Sequence, residues 1–371
     1  MRPAAARLPQ FPWDRLAPYA QRARSHPGGI CDLSVGTPVD PTPDVVRRAL
    51  AAAADAPGYP TTWGTAQLRQ AVVDWFGRAR GVPGLDPDAV LPTIGSKELV
   101  GWLPTLLGLG PGHLVAYPRI AYPTYRVGAD LAGADSVAVD ALTALGPNRA
   151  DLLWLNSPAN PTGQVLGVEH LCKVVGWARE RDVVVASDEC YAMLDWRDEA
   201  PARGVPSILD PLVTDGDITG LLAVYSLSKQ SAMAGYRAAF VVGDPALIDA
   251  LLQARKHLGM MVPTPVQHAM VAALTDDEHV EQARATYRRR REQLVPAVQE
   301  WGLRLEHSEA GLYLWATAGE PGWRTVGRLA ELGILVAPGD FYGPAGRDFV
   351  RISLTAGDAA IQAVVQRLTT G

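Results

Sequence analysis

The strongest constraint on what this chain can become is an alternation of short apolar runs with amphipathic stretches between about residues 90 and 245. Strand-like runs fall at 90–94, 114–117, 136–139, 151–155, 183–187, 221–225 and 239–242. Helical patterns lie between several of them. In 167–180, Val168, Leu171, Val174, Val175 and Ala178 recur at helical spacing and form one apolar face. Such alternation implies an α/β fold with a mainly parallel sheet sandwiched by helices. Past residue 245 the pattern changes. Helices are expected at 245–260, 262–274 and 276–300, then strands at 311–316, 333–336 and 349–354, and a closing helix near 357–369. This reads as a smaller α+β domain beside which the first 40 residues pack. The expected division is a large domain at 41–284 and a small one built from 1–40 and 285–371. The arginine run at 288–291 reads as a solvated helix face.

Composition removes several functions. Formal charge is −5, which leaves no general case for a nucleic-acid-binding surface. Cys31, Cys172 and Cys190 are too few and too far apart for a disulfide framework or a CxxC pair, and no HExxH or other metal spacing occurs. The first residues lack an apolar core of signal-peptide length. The most apolar window, 99–109, contains Pro104 and is far shorter than the ~20 residues of a membrane span. A reducing, cytoplasmic setting is expected, with small-molecule partners and no metal.

In open α/β sheets, ligands bind beyond the carboxyl ends of the strands. Four polar clusters follow strands here: Gly95-Ser96-Lys97-Glu98, Asn156-Ser157-Pro158-Ala159-Asn160-Pro161-Thr162-Gly163, Asp188-Glu189-Cys190-Tyr191, and Ser226-Leu227-Ser228-Lys229 with Gly235-Tyr236-Arg237 beyond. They converge on one rim. Only four lysines exist, so lysine chemistry has few candidates. Lys173 lies in an amphipathic helix, Lys256 late in another, and Lys97 opens a helix where its backbone is better placed than its amine. Lys229 sits between a buried strand and a loop of small residues, where a partly desolvated amine can form a Schiff base.

Asp188 suits the ring nitrogen of a pyridine cofactor: a carboxylate there keeps the ring protonated and able to accept carbanion electrons. At ~4 Å and an effective dielectric near 20 such a charge pair is worth about 4 kcal/mol. Tyr191 and Asn160 can hydrogen-bond a phenolate oxygen. Gly95-Ser96-Lys97 at a helix start offers N–H groups and the helix dipole to a phosphate, with Ser226 and Arg237 flanking Lys229. No GxxxxGK[ST] occurs, and no GxGxxG follows a strand.

With these residues in place the chain resembles class I pyridoxal 5'-phosphate (PLP) aminotransferases of fold type I over nearly its whole length. The matching stretches are Asn160-Pro161-Thr162-Gly163, Ser187-Asp188-Glu189-Cys190-Tyr191, Ser226 through Arg237, and Phe349-Val350-Arg351-Ile352-Ser353. More narrowly, Leu33-Ser34-Val35-Gly36-Thr37-Pro38-Val39-Asp40, Gly259-Met260-Met261-Val262-Pro263 and Val336-Ala337-Pro338-Gly339-Asp340-Phe341-Tyr342-Gly343 resemble actinobacterial N-succinyldiaminopimelate aminotransferases. The resemblance implies that Tyr122 stacks on the cofactor ring. It implies that Arg351 clamps the substrate α-carboxylate beside Gly36 and Asn160. Tyr59 would reach the phosphate of a neighbouring subunit, hence a homodimer. Ala239, where many members have Gly, and Cys190, in place of an apolar residue, are departures.

The implied reaction moves an amino group between N-succinyl-LL-2,6-diaminopimelate and 2-oxoglutarate, on the way to lysine and peptidoglycan. Alternatives are a broad-range aspartate or aromatic aminotransferase, a C–S lyase of the cystathionine β-lyase type, and a racemase or synthase. A PLP-sensing regulator would carry an appended DNA-binding domain, and none is expected in a chain starting so near the family's own start. Arg119, Arg126 and Arg203 are unranked candidates for reading a distal carboxylate or succinyl group. An open entrance is expected from small-residue loops such as 58–64.

Overall fold

The computed structural model describes residues 8–146, 149–197 and 204–370. Strands run in chain order as β1 (Cys31–Asp32), β2 (Val90–Ile94), β3 (Leu114–Tyr117), β4 (Asp135–Ala138), β5 (Leu152–Asn156), β6 (Val184–Asp188), β7 (Leu221–Ser226), β8 (Ala238–Gly243), β9 (Arg304–Leu305), β10 (Tyr313–Thr317), β11 (Ile334–Leu335), β12 (Ala337–Pro338) and β13 (Val350–Ser353). Seven of them form one sheet in the order β2-β8-β7-β6-β5-β3-β4. β3–β4, β3–β5, β5–β6 and β6–β7 pair parallel, whereas β8 pairs antiparallel with both neighbours. Six strands therefore point one way and β8 alone is reversed. The ends of β2, β5, β6 and β7 and the start of β8 all meet on one rim.

Successive side chains of a strand face opposite sides, so a near-continuous apolar run supplies two cores. Leu153, Leu155, Val185, Ala223, Tyr225 and Phe240 face one side, against Trp75, Phe76, Leu171 and Val175. Leu152, Trp154, Ala186, Leu222, Val224 and Val241 face the other, against Leu99, Leu103, Tyr125 and Ile248. A third core joins the four-stranded antiparallel sheet β12-β13-β10-β9 to the N-terminal segment through Leu16, Leu33, Trp315, Phe341 and Ile361.

Several ladders extend one residue beyond their apolar runs, because backbone pairing is indifferent to side-chain polarity. Asn156 pairs Asp188, and Asp188 pairs Val224. The run expected as one strand at 333–336 divides instead. Gly333, at φ +71°, lies outside it, Ile334–Leu335 pair with Cys31–Asp32, and Ala337–Pro338 pair with β13. The strand expected from 311 starts at Tyr313, after Gly311 at φ +84°.

The run at 288–291 is not wholly solvated. Arg290 is 3% exposed, its guanidinium held by Asp40 at 2.6 and 2.7 Å and by Asp358 at 2.7 Å. Three parts of the chain meet there: the segment before the first long helix, the helix Glu278–Glu300 and the C-terminal helix Asp358–Thr370. The helix Glu278–Glu300 passes through residue 284 without a break, so a boundary at that point would cut a continuous helix.

Candidate active site

A cavity of about 500 Å³ opens at the rim where these strand ends meet, a volume typical of small-molecule sites. Of the residues singled out in the sequence, Gly36, Ser96, Lys97, Tyr122, Asn160, Asp188, Tyr191, Ser226, Lys229, Arg237 and Arg351 line it. They come from segments as far apart as residues 36 and 351, which only the sheet topology brings together.

Lys229 is half-buried and its Nζ donates to the Gly36 carbonyl at 2.6 Å. Asp188, at the end of β6, is 7% exposed. Its Oδ2 accepts from the Tyr125 hydroxyl at 3.0 Å and its Oδ1 from the Cys190 N–H at 3.2 Å. Burial pushes the Asp188 carboxyl up, while those hydrogen bonds and the Lys229 charge pull it back towards the carboxylate. Asn156, one ladder position away, donates to the Asp188 carbonyl at 2.8 Å and accepts from the Asn160 N–H at 2.7 Å. It thereby ties the loop holding Asn160 to the strand holding Asp188.

On the other side of the cavity, Arg351 on β13 is buried. Its Nη1 donates to Asn160 Oδ1 at 3.0 Å and its Nη2 to the Ser34 carbonyl at 2.6 Å, while Nε has no partner among the described residues. The guanidinium carbon lies 4.0 Å from the Tyr313 ring centroid. A planar cation fixed this way, with a buried donor in reserve, suits a carboxylate. The Tyr191 and Tyr313 hydroxyls are 3.1 Å apart.

Opposite, the helix Ser96–Leu106 starts at the end of β2. Its first N–H groups, those of Ser96 and Lys97, have no intrahelical acceptor and suit an anion. Arg237 reaches this point from the loop before β8, donating through Nη1 to the Ala234 carbonyl at 3.0 Å. Ser226 Oγ donates to Ser228 Oγ at 2.8 Å and accepts from the Ser228 N–H. Gly95 acts differently from expectation. Its N–H is taken by the Thr93 carbonyl at 2.8 Å. What it contributes is room, since a Cβ at this position (φ +77°) would overlap the Arg237 guanidinium.

Other expected residues lie elsewhere. Tyr59 is 95% exposed and outside the cavity, and residues 58–64 do not line it. The mouth is made instead by Phe11, Trp13, Val35 and Thr37. Arg119 and Arg126 pair with Asp140 and Asp130 away from the cavity, and Arg203 lies outside the described residues. Lys173 pairs on the surface with Glu169. Sequence reasoning missed Tyr125, Tyr313, Phe11 and Trp13. Tyr125 carried one signal, its helical i+3 spacing from Tyr122; Tyr313 sits in an apolar run, and Phe11 and Trp13 lie in a segment without periodicity.

Residues 29–368 match the family described as aminotransferase class I and II. The chain is 59% identical over 365 residues to the "Probable aminotransferase Rv1178" of Mycobacterium tuberculosis, covering 98% of this chain and 86% of that protein. It is 56% identical over 362 residues to 4-dedimethylamino-4-oxo-anhydrotetracycline transaminase OxyQ of Streptomyces rimosus, covering 98% and 99%. Among solved structures, a probable N-succinyldiaminopimelate aminotransferase of Thermus thermophilus superposes with a TM-score of 0.86 at 29% identity, over 96% of this chain and 99% of that one. The sheet, the rim and these matches agree: the chain belongs to the class I and II aminotransferases, PLP-dependent enzymes of fold type I.

Proposed function

We propose that this aminotransferase works on amino acids bearing a second, distal acidic group. Its reaction would be N-succinyl-LL-2,6-diaminopimelate:2-oxoglutarate amino transfer, serving diaminopimelate and lysine synthesis in the cytoplasm. The donor set fits PLP: an anion cradle of the Ser96 and Lys97 N–H groups, Ser226 and Arg237 at one end, Asp188 at the other, Lys229 between, and a glycine at 95 where a side chain would fill the cradle. When bound, PLP supplies an aldehyde to bond the amine and a ring that takes up electrons from the substrate's α-carbon. In this reading Lys229 Nζ is the covalent anchor and afterwards moves a proton at the α-carbon. Asp188 holds the proton of the ring nitrogen, and Tyr122 lies against the ring. Tyr191 and Asn160 hold the phenolic oxygen, while Arg351, with Gly36 and Asn160, orients the α-carboxylate. Tyr59, so exposed on one chain, would complete the phosphate site of a partner subunit in a homodimer.

One observation carries the choice of substrate. At the mouth, Lys97 has no carboxylate partner among the described residues; its Nζ lies 5.8 Å from the Phe11 ring and 6.0 Å from that of Tyr122. The nearby Trp13 Nε1 is buried without a partner. An unpaired cation and an unmet donor favour a distal carboxylate, which glutamate and the succinylated substrate both carry. A second reading, an aromatic or polycyclic partner, is favoured by the aromatic mouth of Phe11 and Trp13 and by the relative OxyQ. Steady-state kcat/KM over a panel of amino donors decides between them. The succinylated substrate should exceed alanine, aspartate and phenylalanine. If aspartate or phenylalanine beats it tenfold, about 1.4 kcal/mol of transition-state preference, the substrate assignment falls while the cofactor reading stands.

A further inference from the structure

Tyr313 belongs to no motif, yet it touches several groups of the site. Its ring lies under the Arg351 guanidinium, and its hydroxyl is 3.1 Å from that of Tyr191. The hydroxyl fits only because residue 36 is glycine, since a Cβ there would overlap it. The Gly36 carbonyl is the acceptor for Lys229. So one phenol packs between the anchor lysine, the carboxylate-binding arginine and the tyrosine assigned to the phenolic oxygen of the cofactor.

We propose that Tyr313 is a positioning residue: its hydroxyl donates to Tyr191 Oη and so leaves the Tyr191 proton free to point at the cofactor. This rests on the role given to Tyr191 above. Two phenols in contact share one hydrogen, and the other is released to a third group. The local charges decide which. Arg351 and Lys229 both act on Tyr313; their positive field draws its oxygen towards them and turns its hydrogen away, towards Tyr191. Burial pushes the Tyr313 phenol up and Arg351, then Lys229, pull it down, the net lying below an ordinary phenol. Cys190 also faces Tyr191. The remaining titratable neighbours, Asp188, Tyr122 and Tyr342, stay as they are in the variants below.

With PLP bound, a donor to its phenolic oxygen would draw electron density from that oxygen and lower the pH at which the cofactor's visible absorption changes. Removing that donor should raise the pH at which the bound cofactor's visible absorption changes. The test is a spectrophotometric pH titration of substrate-free holoenzyme for Tyr313→Phe, Tyr191→Phe and the double variant. Tyr313→Phe keeps the ring over Arg351 and deletes only the hydroxyl. Tyr191 then keeps its own proton for the cofactor and loses only the polarising donor behind it, so the midpoint should rise by a fraction of the Tyr191→Phe shift, about 0.2–0.5 pH unit, and a fall overturns the relay. Tyr191→Phe should rise further, and the double variant should match Tyr191→Phe alone. An unmoved midpoint in Tyr313→Phe beside a shifted one in Tyr191→Phe overturns the relay and spares the Tyr191 assignment, as do additive shifts. An unmoved midpoint in Tyr191→Phe overturns both.

Discussion

Gly95 offers a way to separate backbone strain from ligand binding. Its φ of +77° and ψ of 153° lie in a region that is almost exclusively glycine's, and the space its Cβ would need holds the Arg237 guanidinium. Gly95→Ala should therefore have two distinct costs. The backbone term destabilises the fold by about 1–3 kcal/mol. The side-chain term does not add much to that, because a guanidinium at the end of a flexible stem can swing aside. Swinging aside takes Arg237 out of the proposed phosphate cradle, however. Losing one charge-assisted hydrogen bond is worth about 1.5–3 kcal/mol, or roughly 10–150-fold in affinity. Fluorescence titration of cofactor-free protein with PLP reads the second cost; urea unfolding of the same protein reads the first. Gly95→Ala and Arg237→Ala should weaken PLP to similar extents, and the double variant should be little worse than either. Wild-type PLP affinity in Gly95→Ala would refute the reasoning, as would fully additive losses, since the glycine would then act independently of the arginine.

Two further outcomes follow from buried charges. Asp188→Asn keeps the size of the side chain and the Tyr125 contact but removes the charge proposed to face the ring nitrogen. PLP should still bind through the phosphate cradle while kcat falls by several orders of magnitude, and near-normal turnover would assign the ring nitrogen another partner. Arg290→Met should lower the urea-unfolding free energy by about 1–3 kcal/mol, at the low end of buried ion-pair losses because Asp40 and Asp358 can rehydrate. The Asp358 carboxyl is held below its ordinary value, by its Arg290 hydrogen bond above all. Its contribution to stability is thus present above the unfolded carboxylate range and lost as pH falls through the lowered native value. The gap between wild type and Arg290→Met should narrow in acid; a gap that is flat with pH would contradict the role given to the pair.

The large sheet was legible because its strands, apart from the edge strand β4, are mostly buried on both faces, which writes apolar runs into the chain. The polar residues beyond those runs then marked the rim. Lys229, Asp188 and Arg237 were legible because each carries chemistry that packing alone does not ask for, and Arg351 only through the family resemblance of the stretch 349–353. Tyr313 was not. It stands in Gly311-Leu312-Tyr313-Leu314-Trp315, where an aromatic residue reads as core, and only the approach of Gly36 from the N-terminal segment turns it into part of a site. Arg290 failed for the opposite reason. In Arg288-Arg289-Arg290-Arg291 nothing local separates it from its neighbours; Asp40 and Asp358, far away in sequence, bury it. Gly95 was found for the wrong property, its N–H, since the crowding by Arg237 depends on a loop about 140 residues downstream. Phe11 and Trp13 precede any strong periodicity, so their place at the cavity mouth had no signal to announce it.

The central claim is that the cavity around Lys229 is where cofactor and protein are joined. Borohydride reduction of the holoenzyme, followed by proteolysis and mass mapping, tests it most directly, because only four lysines compete. The pyridoxyl group should be found on the peptide carrying Lys229, and Lys229→Ala should take up no label and lose transamination by several orders of magnitude. Label on Lys97, Lys173 or Lys256 would contradict the account.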